Sequence, residues 1–250
     1  MNERMQRPVA VVTGASSGIG AATALRLGKE GFDLVLGARR VDRLKEVAER
    51  SGGRALRLDV TDAASVDAFV AEVDRVDLLV NNAGLALGRD HIADLSEEDT
   101  QIMWETNVMG LLRITRALLP KLQVSDKAHI INIGSIAGVE PYVSGGGYTA
   151  SKHAVHAVSR TLRMELVGDG VRVTEILPGL VETEFSIVRF KNDAAKATKP
   201  YEGLTPLTAD DIADCIAWAA TRPPHVNIDE IVVKPQAQAT ATMVFRHTDD

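Results

Sequence analysis

The stretch VAVVTGASSGIG, residues 9–20, decides the fold. A β-favouring run, VAVVT, leads straight into TGASSGIG (13–20), and a helix-patterned segment, Gly18–Glu30, follows. A strand that ends on spaced glycines and restarts as a helix is the opening of a nucleotide-binding βαβ unit, here with wider spacing than GxGxxG. Gly14 permits the tight turn off the strand. Gly18 lets the backbone come close to a pyrophosphate, and Gly20 lets the helix pack near the sheet. Ser16 and Ser17 offer hydroxyl donors, Ile19 stands at the helix start, and the helix N-terminus adds unpaired N–H groups. A ligand-free strand-to-helix turn also uses glycines, but the position after the first strand favours phosphate.

Outward from this turn, apolar runs alternate with helix-patterned segments along nearly the whole chain. Residues 34–38 (LVLGA), 55–59 (ALRLD), 78–81 (LLVN), 129–133 (HIINI), 171–177 (VRVTEIL) and 228–234 (IDEIVVK) read as further strands. They are rich in Val, Ile and Leu with little strict alternation, as strands covered on both faces are. Helices are expected over 41–50, 63–74 and 96–122, the last with room for a break. Ser96 with Asp99, and Thr208 with Asp211, have N-cap spacing. The alternation implies a single-domain, Rossmann-type, doubly wound α/β fold over residues 1–250, with seven parallel strands and helices on both faces. A TIM barrel would need eight regular repeats.

A chain of 250 residues buries one sizeable core. Its 45% apolar and 25% charged residues are those of a soluble globular protein, and its net charge of −6 disfavours a nucleic-acid partner. The single cysteine, Cys215, permits no intrachain disulfide and suits a reducing compartment. The opening MNERMQRP lacks the apolar core of a secretory signal, and no apolar run nears the roughly 20 residues of a bilayer span. A cytoplasmic protein with no membrane or nucleic-acid partner is expected.

The second strand ends in GARR, residues 37–40. In such folds an acid there holds the ribose 2′-hydroxyl of NAD, whereas an arginine suits the 2′-phosphate of NADP. Ala38 stands where the acid would be, and Arg39 and Arg40 follow, each able to grip a phosphate bidentately. NADP(H) is the expected cofactor, with NAD not forbidden.

Tyr148 and Lys152, in YTASK, lie four residues apart and so share a helical face. Tyrosine, with an ordinary pKa of about 10, is a poor acid-base near neutrality, and a nearby ammonium lowers that value. A shift of about 3 units takes roughly 4 kcal/mol, much of which a lysine plus a cationic oxidised nicotinamide would supply in a site shielded from water. Such pairs also arise by chance on helix surfaces, so their strength must come from companions.

Those companions are present in order. The chain resembles the short-chain dehydrogenase/reductase family over residues 7–235. TGASSGIG resembles its cofactor turn, Asp59 with Val60 its adenine-contacting pair, and NNAG (81–84), with Asn82, Ala83 and Gly84, its fourth-strand signature. Asn107, Ser135 in INIGS, and Tyr148 with Lys152 match its active-site residues. Pro178, Gly179, Val181 and Thr183 resemble the segment that meets the nicotinamide. The resemblance implies that Tyr148 exchanges a proton with the substrate oxygen while Ser135 hydrogen-bonds it. It implies that Lys152 holds the nicotinamide ribose and tunes Tyr148, and that Asn107 binds a water linking Lys152 to solvent. The implied activity is NADP(H)-dependent interconversion of a small aldehyde, ketone or 3-hydroxy acid with its reduced or oxidised partner. The alternative, a catalytically silent NADP-binding regulator, would be expected to lack Tyr148, Lys152 or Ser135, and none is missing. A homodimer or homotetramer is implied, built through helices at 96–122 and 148–167, where Ala150, Ala154, Ala157, Val158 and Leu162 would allow close approach.

Two further segments, VETEFSIVRF (181–190) and RPPHVNIDEIVVKPQAQ (222–238), resemble one branch of the family. It holds NADP-dependent 3-hydroxy acid (serine or allo-threonine) dehydrogenases, malonic semialdehyde reductases and clavulanate-forming reductases. Residues 184–205 read as an irregular, charged lid over the substrate. Within it Arg189 or Lys191 is expected to receive a substrate carboxylate, a solvent-facing charge being the alternative. His153 and His156 have no motif role, and no metal-ligand spacing exists. Cys215 reads as a small core residue and Trp104 as a core or interface anchor.

Overall fold

A computed structural model describes residues 7–247, so most of the polar opening segment lies outside the described residues. The strands are β1 (Val9–Thr13), β2 (Asp33–Ala38), β3 (Arg54–Arg57), β4 (Leu78–Asn81), β5 (His129–Ile133), β6 (Arg172–Pro178) and β7 (Glu230–Val233). They form one seven-stranded sheet in the order β3-β2-β1-β4-β5-β6-β7, and every pairing is parallel. The helices are α1 (Gly18–Lys29), α2 (Val41–Ser51), α3 (Ala63–Ala71), α4 (Glu97–Trp104) and α5 (Leu111–Leu122). They continue with α6 (Gly146–Leu166), α7 (Glu184–Arg189), α8 (Ala194–Thr198) and α9 (Ala209–Ala220).

The absence of strict alternation in the strands now has its reason. On one face Ala10, Val12, Leu34, Leu36, Leu78 and Val80 pack with Leu27 of α1, Leu44 of α2 and Ile216 of α9. On the other, Val11, Val35, Leu79 and Ile130 pack with Phe69 of α3, Leu118 of α5 and Leu162 of α6. Both sheet faces are covered, so both sets of side chains must be apolar. Leu162 therefore belongs to the core and not to a surface free for a partner helix. Asp77 pins the entry to β4: its Oδ2 accepts from Val9 N–H at 2.7 Å and pairs with Arg75 at 2.7 Å. Burial pushes this carboxyl up, but hydrogen bonds from Ser125, Val9 and Arg75 outweigh it and hold Asp77 below the ordinary carboxylate value.

The N-cap spacings are realised. Ser96 Oγ accepts from Asp99 N–H at 3.1 Å, and Thr208 and Asp211 form a reciprocal capping box. The expected break in 96–122 is a π-helical segment, Glu105–Gly110, which carries Asn107. Such π turns cluster at functional sites. The lid is not irregular as expected. Thr183 caps α7 and Asp193 caps α8, and a short 3-10 turn, Lys199–Tyr201, follows. Between α7 and α8 the chain turns through Lys191 and Asn192, at φ 51° and 70°. Among the described residues no helix is long and apolar enough to cross a membrane.

The chain leaves β1 toward β2 on one side, while β4 lies on the other. In open α/β sheets the crevice beyond the carboxyl ends at this switch point is where ligands bind. TGASSGIG and NNAG meet there.

Candidate active site

The turn after β1 is built by the residues around it. Gly14 and Gly18 take left-handed φ values of 65° and 54°, which L side chains adopt only at a cost. A Cβ at Gly14 would also lie 2.9 Å from Ala83 Cα, so NNAG can approach only a glycine. A Cβ at Gly20 would strike the Gly14 carbonyl, which matches the expected close packing of the helix. Asn82 braces the turn by donating from Nδ2 to the carbonyls of Thr13 (2.9 Å) and Gly14 (3.2 Å). Thr13 Oγ1 accepts from the N–H groups of Asn82 and Ala83, both at 3.0 Å.

Beyond β2, Arg39 and Arg40 line the same cavity as Gly14, Ser16 and Ser17. Arg40 donates to Ser16 Oγ at 3.3 Å and to Ser17 Oγ. Asp59 and Val60 also line it, and Asp59 Oδ1 accepts from Thr61 N–H and Oγ1. The cavity, about 540 Å³, runs from these residues to Ser135, Tyr148 and Lys152 and on to Pro178, Gly179, Val181 and Thr183.

Tyr148 and Lys152 stand in the first two turns of α6, opposite Ser135, which follows β5. The expectation that the lysine lowers the tyrosine meets a stronger effect. Burial pushes Tyr148 up to about 12, with only partial opposition from a hydrogen bond with Ser135. Burial also brings Lys152 down to about 8. Lys152 Nζ donates to the Ile133 carbonyl at 2.8 Å and stands 6.0 Å from the Tyr148 ring centroid. In this shell the phenol is held as a proton donor, and its lowering needs charge from beyond these side chains.

Asn107 is held by its side chain on both sides. Its Oδ1 accepts from Leu85 N–H at 2.8 Å, and its Nδ2 donates to Leu85 O (2.8 Å) and Ser151 Oγ (3.0 Å). The amide thus fixes the backbone after NNAG against α6. Glu175 of β6 was not singled out by sequence. It is 1% exposed, its Oε2 accepts from His156 Nδ1 at 2.8 Å, and its Oε1 has no hydrogen-bond partner among the described residues. Burial holds its carboxyl above the ordinary range, opposed by His156 and Lys152. His156 thus has a structural partner in place of a motif role.

The lid separates the two basic residues expected to meet a carboxylate, Arg189 and Lys191. Arg189 lines the cavity, with Cζ 5.5 Å from the Tyr148 ring centroid. It donates from Nε to the Gly88 carbonyl (3.1 Å) and from Nη2 to Tyr142 Oη (2.8 Å). Its Nη1 makes no hydrogen bond within the described residues. Lys191 does not line the cavity, and its Nζ pairs with Asp99 Oδ2 at 2.8 Å. Tyr142, Arg89, Phe185 and Gln238 also line the cavity without having been singled out as site residues. Gln238 lies inside the 222–238 resemblance, which was its available signal; Tyr142 and Arg89 stand in no motif. Trp104 is 42% exposed, which removes the core reading, and Cys215 is only partly buried.

These residues fit a dinucleotide with a 2′-phosphate. Two left-handed glycines and a helix N-terminus would cradle its pyrophosphate, and Arg39 and Arg40, with no acid at Ala38, would hold the 2′-phosphate. The comparisons with known proteins agree. The short chain dehydrogenase family model matches residues 8–194. A sulfoacetaldehyde reductase of Chromohalobacter salexigens is 46% identical over 91% of this chain and 94% of its own. An NADP-dependent 3-hydroxy acid dehydrogenase of Schizosaccharomyces pombe is 41% identical over 97% of this chain and 98% of its own. The solved closed form of serine dehydrogenase complexed with NADP+ superposes with a TM-score of 0.90 at 40% identity, over 96% of this chain and all of that one. With the phosphate turn, the NNAG strand end and the serine, tyrosine and lysine brought onto one cavity, the chain belongs to the short chain dehydrogenase family.

Proposed function

We propose that this protein is an NADP(H)-dependent reductase of small carbonyl compounds that carry an acidic group, working through Tyr148. Interconversion of a carbonyl with its alcohol and the use of NADP(H) follow from the family and from relatives that are NADP-dependent. The acidic substrate rests on one observation: the Arg189 guanidinium lies over the Tyr148 ring inside the same cavity.

Bound in this cavity, NADPH would supply the hydride that reduces the carbonyl carbon. Tyr148 Oη gives its proton to the carbonyl oxygen, which stays on its carbon and becomes the alcohol hydroxyl; in oxidation the phenolate takes that proton back. Ser135 Oγ hydrogen-bonds the same oxygen and stabilises the charge that develops on it. Lys152, anchored on the Ile133 carbonyl, directs its ammonium charge toward the phenol. Arg189 offers Nη1 to a carboxylate or sulfonate, while Tyr142 and Gly88 hold its other nitrogens in place. Phe185, edge-on to Tyr148 at 5.6 Å, shields the phenol from water. Asn82, Arg39, Arg40, Asp59 and Val60 serve the adenosine and pyrophosphate half.

Malonic semialdehyde, sulfoacetaldehyde, 3-hydroxyisobutyrate and serine, set beside neutral aldehydes and ketones, test the reading by NADPH absorbance. Acidic compounds are expected to give the higher kcat/KM, and NADPH to outperform NADH. A preference for neutral carbonyls would overturn the acidic-substrate reading. NADPH binding without any turnover would restore the silent regulator.

The same reading places the protein in the cytoplasm as a homodimer or homotetramer. Ile102 and Trp104 on α4 and Met164 on α6 are apolar and exposed, which suits helix-to-helix association. Light scattering on the purified chain tests this, and a monomer would contradict it.

A further inference from the structure

Glu184 opens α7, immediately after the Thr183 cap, and faces the start of α2. Arg40 Nη1 donates to its Oε2 at 2.8 Å. Arg43 Nη1 donates to Oε1 at 2.7 Å and to Oε2 at 3.0 Å. The remaining Arg40 nitrogens reach Ser16 and Ser17 of the phosphate turn. One carboxylate therefore sits between two guanidiniums at the ribose end of the cavity, which Glu184 lines beside Arg39 and Arg40. Its hydrogen bond with Arg40, and then its contact with Arg43, hold its carboxyl below the ordinary range.

We infer that Glu184 occupies the cations meant for the 2′-phosphate, that Arg43 is a third arginine for that phosphate, and that the arriving phosphate releases α7 from the cofactor turn. The inference rests on the use of NADP and not on the acidic-substrate reading. A phosphate monoester carries close to two charges and three acceptor oxygens, so it outcompetes a single carboxylate for the same guanidiniums. The pairs to be broken are about half exposed, at 46% and 47% for Arg40 with Glu184, and exposed pairs are weak. Exchange is therefore inexpensive, and like-charge repulsion then moves Glu184 away. The consequence is a cofactor-dependent latch: nucleotides without the 2′-phosphate leave the leading lid helix tied to α2, whereas those with it free that end.

Calorimetric titration of the full chain with 2′,5′-ADP and with 5′-AMP, at one ionic strength, tests this. Glu184→Gln is expected to tighten 2′,5′-ADP about five-fold, the scale of an exposed ion pair, and to leave 5′-AMP unchanged. Adding Arg43→Ala to Glu184→Gln should cancel that gain. In the wild type, amide exchange over 184–190 should quicken with 2′,5′-ADP and not with 5′-AMP. Unchanged or weaker 2′,5′-ADP binding by Glu184→Gln would overturn the competition. Equal tightening for both nucleotides would reduce it to general charge. Tightening that survives the loss of Arg43 would remove Arg43 from the site. Wild-type protein that binds 2′,5′-ADP no better than 5′-AMP would remove the NADP basis itself.

Discussion

The Arg189 guanidinium lies over the ring of Tyr148, 5.5 Å from its centroid, while Lys152 Nζ stands 6.0 Å from the same centroid. The lid and α6 thus each bring a cation to one phenol. Tyr148→Phe keeps the ring between them and removes only the proton. Turnover is expected to fall by about 10²–10⁴-fold, the contribution of a positioned acid-base group. NADPH affinity should stay within about two-fold, since the ring remains. Single-turnover kinetics and fluorescence titration separate the two, and retained turnover would move proton transfer to another group.

Burial of the same pair sets how stability depends on pH. Lys152 titrates near 8 when folded, against an ordinary value of 10.5. Between those values the unfolded chain holds more protons, so this group makes stability rise with pH across that window. Tyr148 acts the other way: its folded value of about 12 exceeds the ordinary 10.0, so its contribution is full below 10 and lost toward 12. Urea unfolding between pH 7 and 10 should show the wild type gaining on Lys152→Met above pH about 8. A pH-independent difference would contradict the burial of a titrating ammonium.

Asn82 works through the turn it braces. Asn82→Ala leaves the carbonyls of Thr13 and Gly14 without their side-chain donor and is expected to cost about 1–2 kcal/mol. NADPH should bind more weakly, while kcat at saturating cofactor stays near wild type, because the proton donor is untouched. Loss of kcat with unchanged NADPH affinity would refute that division.

Asp77 supplies an acid-sensitive joint between β1 and β4. Its folded value lies below the ordinary 3.8, so its contribution is present above that pH and lost as pH falls through the folded value. Asp77→Asn is expected to lose about 1–3 kcal/mol near neutrality by weakening the hydrogen bonds to an enclosed carboxylate. The gap to wild type should close below pH about 4 in denaturant melts. An equal gap at both pH values would assign the loss to shape and not to charge.

The fold was legible because its signals are local and repeated. VAVVTGASSGIG carries its own turn chemistry, and the uninterrupted apolar strands report a sheet covered on both faces. The Tyr148–Lys152 pair was legible through its companions standing in order, and Ser135 through the resemblance carried by INIGS. What sequence missed, as at Glu175, or left open, as between Arg189 and Lys191, depends on distant contacts. Glu175 acquires meaning from His156, 19 residues away, and Arg189 from Tyr142 and Gly88, 47 and 101 residues away. The lid reads as irregular because its helices are too short to show a period and are held by caps at Thr183 and Asp193. The rise that burial imposes on Tyr148 was not legible because a four-residue spacing shows proximity and not burial.

The central claim is that Arg189 receives the acidic end of a substrate whose carbonyl is protonated by Tyr148. The most direct measurement is kcat/KM with NADPH for malonic semialdehyde and for a neutral aldehyde of similar size, in the wild type and in Arg189→Ala. Loss of a charge-assisted pair should cost the acidic substrate about ten-fold or more and the neutral one far less. An equal fall for both would contradict the claim and leave Arg189 as a support for the lid.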